Sequence, residues 1–145
     1  MDFLTALDIA ASGLSAERTH LNVISMNMAN VNTTRTPEGG AYRRKSCVFR
    51  SSPVESPFSR AMQSALDREV HGVKVAGVVT DNRPLKQVYD PGHPDANAEG
   101  YVSYPDINAM EEMANMITAI RSYEANVACI TSIKSMFNKA LELGR

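Results

Sequence analysis

The sequence predicts a mainly α fold: long N- and C-terminal helices paired as an antiparallel coiled-coil-like hairpin, with a small β-rich insert between them. Three observations predict it. Apolar residues recur at alternating steps of three and four from 107 to 141. The same period runs from 3 to 31. Between them the chain turns to Pro, Gly and short β-branched runs, which do not carry a helical period. The division that follows is a helical unit, 1–34 with 105–145, and an insert, 35–104.

The C-terminal period places Ala109, Met113, Met116, Ile120, Tyr123, Val127, Ile130, Phe137 and Leu141 on one face, with Lys134 as its break. At ~1.5 Å per residue such a helix is roughly 50 Å long. It cannot bury that face on itself and needs a partner of similar length. The N-terminal period supplies one: Phe3, Leu7, Ala10, Leu14, Leu21, Ile24, Met28 and Val31 share a face, broken by Glu17. Gly13 costs a helix about 1 kcal/mol, so it marks either the close approach of another backbone or a weak spot. The cluster Asn30-Val31-Asn32-Thr33-Thr34 is the stop signal, with Asn suited to a left-handed C-cap.

Thr36-Pro37-Glu38-Gly39-Gly40 reads as a loop. A strand is predicted from Tyr42 to Arg50, basic at Arg43, Arg44 and Lys45. That run is either a solvated edge-strand guard or a docking patch for an acidic neighbour. Ser51 to Ala65 is Ser/Pro-rich and reads as loop. Gly72 to Asp81 reads as a second strand with Gly77 as a bulge or bend, and Leu85 to Tyr89 as a third. Asp90-Pro91-Gly92-His93-Pro94-Asp95 is a rigid turn, and 96–103 leads on to Tyr104-Pro105-Asp106. Asp106 is placed to cap the long helix, with Glu111 and Glu112 at the favourable end of its dipole.

Composition narrows the function. The 145 residues carry a formal net charge of −1, which argues against nucleic acid as the main partner. No run of ~18 apolar residues is present, and the start has no basic region and cleavage site of a secretory signal. Cys47 and Cys129 are too few for a disulfide framework and too far apart for a metal motif. Cys129 is expected to be a small buried hydrophobe and Cys47 a free thiol on a strand. No cofactor site and no catalytic arrangement is expected: the His93 loop offers no second His or Cys, and reads as a rigid contact surface.

The helix faces outside the apolar seams are short of charge. From Met113 to Ile133 only Arg121 and Glu124 are charged, and from Phe3 to Val31 only Asp8, Glu17 and Arg18. A hairpin alone in water normally carries Lys and Glu there. The expectation is that Ala, Ser, Thr and Asn positions on these faces are covered by other subunits; a solvated Ala/Ser-rich hairpin is the alternative. Glu17 and Lys134 lie too far out of step to pair within one chain, so each should meet a neighbour or solvent. Asn30 serves either as a cap or as a contact.

Two terminal segments carry a resemblance. Ser12-Gly13-Leu14-Ser15-Ala16, Leu21-Asn22-Val23-Ile24-Ser25, Asn27 and Ala29-Asn30-Val31-Asn32-Thr33 form one; Glu112-Met113, Met116-Ile117, Arg121-Ser122-Tyr123-Glu124-Ala125-Asn126 and Lys134-Ser135-Met136 form the other. Together they resemble the terminal motifs of the bacterial flagellar rod, hook and axial proteins. The middle segments 36–44 and 88–96 resemble the rod members. Met26 stands where the wider pattern commonly has Asn, Arg35-Thr36-Pro37 replaces a simpler Gly-Tyr ending, and 51–70 matches nothing.

The resemblance implies a structural subunit, exported unfolded through the flagellar type III export apparatus and polymerised into a tube across the periplasm. Its terminal helices would form the inner layer, transmitting torque and enclosing the path of exported subunits. Implied partners are other copies of itself, other rod proteins and the inner-membrane ring adaptor. The seam residues Leu7, Leu14, Leu21, Ile24, Met28, Met113, Met116, Ile120, Tyr123, Val127, Ile130 and Phe137 are expected to drive assembly. Asn22, Asn27, Asn30, Asn32, Arg121, Glu124, Asn126, Arg43, Arg44, Tyr89, Asp90 and His93 are expected at subunit contacts. A small helical adaptor or chaperone of a secretion system is the alternative from another class.

Overall fold

A computed structural model describes residues 3–53 and 70–143. Two helices flank a small antiparallel β insert: α1 (Phe3–Ala29), β1 (Lys45–Pro53), β2 (His71–Thr80), β3 (Lys86–Tyr89), β4 (Tyr101–Tyr104) and α2 (Ala109–Leu143). The mainly α class with a β-rich insert is as the sequence predicts.

Helix α1 is the centre. It packs against α2 and also against the β1–β2 ribbon, whereas α2 packs on no described element but α1. Three contacts show the two helices running in opposite directions. Phe3 meets Phe137 edge-to-face with ring centroids 6.0 Å apart. Gly13 faces the side chain of Asn126. Asn27 hydrogen-bonds Glu112. As α1 advances from 3 to 27, its partners on α2 retreat from 137 to 112.

The face that α2 turns to α1 differs from the predicted seam. Glu112, Ala119 and Ile133 are buried, and Asn115, Met116, Ser122, Asn126 and Ile130 are half-buried. Met113, Ile120, Tyr123, Val127, Phe137 and Leu141 are exposed. The observed face thus runs one residue earlier, at 112, 119, 122 and 126 instead of 113, 120, 123 and 127, which is a turn of about 100°. The physical reason is close approach. Small side chains let the axes come together, and Gly13 sits so close that a Cβ there would lie 3.0 Å from Asn126 Nδ2. On α1, Ala10 and Ile24 are buried as expected, and Leu7, Leu14, Leu21 and Met28 are half-buried. Ala16, Val23 and Asn27 are buried too, because this helix is covered on two sides.

The helix ends also differ. No described non-glycine residue takes a positive φ, so Asn30 is not a left-handed cap. Its side-chain amide instead donates to the Met26 carbonyl at 2.8 Å. At the start of α2 the cap is Asn108, whose Oδ1 accepts the Met110 N–H at 3.1 Å. Asp106 is engaged by Arg83 at 3.6 Å.

Strand β1 begins at Lys45, three residues after the predicted start, because the Tyr42 N–H is held by the Thr33 carbonyl at 3.1 Å and closes the preceding loop. β1 and β2 pair antiparallel, with an irregularity where Val48 faces Gly77 and Phe49 faces Val75, leaving Ala76 as the extra residue beside the predicted bulge. Residues 51–53 continue β1, and the rest of the predicted 51–65 loop, 54–65, lies outside the described residues. β3 pairs with β4, a strand the sequence did not separate from its loop. A two-stranded ribbon is marginal alone. The first ribbon leans on α1: Ser12 Oγ accepts the Val73 N–H at 3.1 Å, and Phe49 meets His20 edge-to-face at 5.3 Å.

Cys129 is exposed rather than buried. Cys47 lies half-buried on β1, and both thiols are free. Glu17, expected at a neighbour or in solvent, pairs with His20 at 3.4 Å, while Lys134 is exposed.

Candidate assembly surface and the joint behind it

At the insert end of the helix pair, five side chains from α1, α2, β1 and the loop before β1 form a polar joint. Glu112 is 1 % exposed, and a carboxylate at that depth needs a paired charge and hydrogen bonds. Arg44 supplies them: its Nε and Nη2 donate to Glu112 Oε1 at 2.8 and 2.6 Å, and its Nη1 donates to Ser46 Oγ at 3.1 Å. Asn27, also 1 % exposed, donates from Nδ2 to the Lys45 carbonyl at 2.8 Å and to Glu112 Oε2 at 3.1 Å. Its Oδ1 accepts the Lys45 N–H at 2.9 Å and the Tyr42 hydroxyl at 3.1 Å. An amide side chain has two donors and two lone pairs, and all four are used. Burial first, and then the Glu112 charge, push the Tyr42 phenol above its ordinary value.

Asn27 and Arg44 are both engaged within the chain. Asn30 is likewise occupied, holding Met26 O and accepting from Thr33 Oγ1 at 3.1 Å. Asn126 lies against Gly13 in the helix interface. Asn22, Asn32, Arg43, Arg121 and Glu124 are exposed. Arg43 donates to the Arg83 carbonyl at 3.3 Å.

The 90–95 loop is braced from inside. Asp90 Oδ1 accepts the Gly92 N–H at 3.2 Å, and His93 Nδ1 accepts the Asp95 N–H at 3.1 Å. Asp95 accepts from Thr34 Oγ1 at 2.8 Å, tying this loop to the segment after α1. Tyr89 is exposed and packs edge-to-face on Tyr101, ring centroids 5.4 Å apart. Glu112 was the residue sequence reasoning missed. It lies on the same helical face as Ala119 and Asn126, which the heptad spacing does not select.

The outer side of α2 carries the opposite character. Met113, Ile117, Ile120, Tyr123 and Val127 are between 36 % and 54 % exposed. Steps of four, three, three and four put them in one stripe, roughly 20 Å long at the rise of an α-helix. Exposed Arg121 and Glu124 lie within the same stretch of helix. Together Met113, Ile117, Ile120, Tyr123 and Val127 make a contiguous exposed apolar stripe along α2.

Most of each helix falls in a segment that matches a known family. Residues 7–35 match the family described as flagella basal body rod protein. Residues 98–143 match the flagellar basal body rod FlgEFG protein C-terminal family. The chain is 43% identical over 150 residues to flagellar basal-body rod protein FlgC of Borreliella burgdorferi, covering 99% of this chain and 98% of that one. It is 39% identical to FlgC of Bacillus subtilis, covering 97% of each chain, and 39% identical to FlgC of Salmonella typhimurium over the full length of both.

Proposed function

The chain belongs to the FlgC family of flagellar basal-body rod proteins, and from that premise we propose that it is a structural subunit of the rod, acting by assembly rather than by catalysis. The apolar stripe on the outer side of α2 is the observation that carries the reading. Five large side chains facing water cost a single chain solubility, and burying them against a neighbour recovers about 25 cal/mol per Å² of apolar area removed from water. The neighbours are other copies of this chain and other rod subunits, with the inner-membrane ring adaptor at the base. The α1–α2 pair serves as the coiled-coil-like axial core, 1–34 with 105–145, and the 35–104 insert lies outside it. Export through the flagellar type III apparatus and placement in the periplasm-spanning proximal rod complete the reading. A secretion adaptor is not favoured, because the relatives matched over the whole chain are rod proteins.

The test is Ile120→Asp and Tyr123→Asp, each in full-length protein. Both variants should keep the parental circular dichroism spectrum, fail to appear in purified basal bodies and abolish swimming. Normal swimming by both would sink the reading.

A further inference from the structure

We infer that the Asn27–Glu112–Arg44 cluster fixes the register of the α1–α2 pair rather than supplying most of its stability. The middle of the helix interface is built from small side chains: Ala10, Gly13 and Ala16 on one helix, Ala119, Ser122 and Asn126 on the other. Small groups are nearly interchangeable. A slide of one helical turn, about 5.4 Å, sets small against small again and is opposed chiefly at Gly13, where a Cβ would lie 3.0 Å from Asn126 Nδ2. Of the large apolar residues of α2, Ile133 is buried and Met116 and Ile130 are half-buried in the interface, while Met113, Ile117, Ile120 and Val127 face away and do not oppose it. At the open end, Phe3 and Phe137 meet edge-to-face, but both rings are more than a third exposed.

The cluster at the insert end admits one arrangement. Asn27 has its four hydrogen-bonding positions filled, two of them by the N–H and carbonyl of Lys45 and one by Glu112. A slide of one turn strands the Glu112 carboxylate in an apolar setting and removes the partner of Arg44, a loss that apolar contacts cannot replace. Fixing register is the best-attested use of buried polar groups, while an apolar pair of similar volume often matches their stability. Because Asn27 grips the first residue of β1, the same cluster sets where the ribbon begins. The inference concerns the single chain and stands whether or not the outer stripe meets a neighbour.

The experiment uses full-length protein carrying Cys47→Ser and Cys129→Ser, spin-labelled through Arg18→Cys and Lys134→Cys, both exposed positions. Labelled chains are diluted into unlabelled ones, and the interlabel distance distribution is measured by pulsed electron resonance. With the parental cluster, and with Glu112→Gln, a single distance is expected. With Arg44→Met and Glu112→Met together, the urea midpoint should stay close to the parent's. The distribution should gain a second population displaced by about 5 Å, one helical turn. A single parental distance in that variant overturns the inference. So does its failure to fold, which would make the cluster a source of stability rather than of register.

Discussion

Asn27 and Glu112 stand 85 residues apart in the chain, yet their side chains hydrogen-bond at 3.1 Å with 1 % of each exposed. The bond joins the last turn of α1 to the first turn of α2, at the point where the chain leaves for the insert and returns from it. Through Arg44 and Lys45 the same cluster holds the first strand, so helix pairing and insert placement are one event.

Removing one side of the buried pair should therefore be costly. Glu112→Ala leaves the Arg44 guanidinium and an Asn27 N–H without their acceptor, and should lower the unfolding free energy by about 3 kcal/mol. Arg44→Ala strands the more deeply buried Glu112 and should cost at least as much. The double variant should lose less than the sum, because neither charge is then left alone. Urea titration of the full chain, followed by circular dichroism, measures all three; strict additivity would refute the pairing.

Gly13 and Asn126 should be coupled as well. Alanine in place of a helical glycine gains about 1 kcal/mol from propensity. Here its Cβ would meet Asn126 Nδ2 at 3.0 Å, so part of that gain is lost in displacing the amide. Gly13→Ala should therefore stabilise the Asn126→Ala background more than the parent, by about 0.5 kcal/mol or more. Equal effects in the two backgrounds would show that the helices do not touch there.

These residues show what could be read from the sequence. The two long helices, the small β insert between them and the bulge near Gly77 follow from local spacing, and all are present. Which face of α2 turns inward does not follow from spacing. Apolar residues at 113, 117, 120 and 127 and at 116, 130 and 133 give two overlapping stripes, and the heptad rule favours the larger side chains. The chain instead buries the face that permits close approach, so Ala119, Ser122 and Asn126 go in and Met113, Ile120 and Val127 stay out. The polar joint was hidden for a different reason. Asn27 is 15 residues from Tyr42 and 85 from Glu112, and no local pattern announces that an Asn will use all four of its hydrogen-bonding positions on one strand, one hydroxyl and one helix.

Stability should fall at alkaline pH. Burial, with the Glu112 charge behind it, raises the Tyr42 phenol, and burial, with the Glu17 charge behind it, raises the Cys47 thiol. In both cases the folded chain holds its proton more tightly than the unfolded one. The contribution is complete below the ordinary values, about 8.5 for Cys and about 10 for Tyr, and is lost as pH rises through the higher folded values. Urea midpoints measured from pH 7 to 11 should decline over this range. Tyr42→Phe with Cys47→Ser should flatten that decline, after the loss of about 1 kcal/mol for the Tyr42–Asn27 hydrogen bond at neutral pH.

Ala119 and Ile120 are consecutive, and the direction of α2 predicts opposite fates for an aspartate at each. Ala119 is 2 % exposed and faces α1, whereas Ile120 is 41 % exposed on the outer stripe. Ala119→Asp forces a carboxylate into the buried helix interface, and should destabilise the chain by about 3 kcal/mol or more. Ile120→Asp meets water in the single chain and should change its unfolding free energy by no more than ~0.5 kcal/mol. Both should abolish swimming, the first because the subunit is unfolded and the second because a folded subunit has lost its contact surface. Circular dichroism of the two purified variants separates the causes. If Ile120→Asp unfolds the chain as Ala119→Asp does, the outward face assigned to Ile120 is wrong.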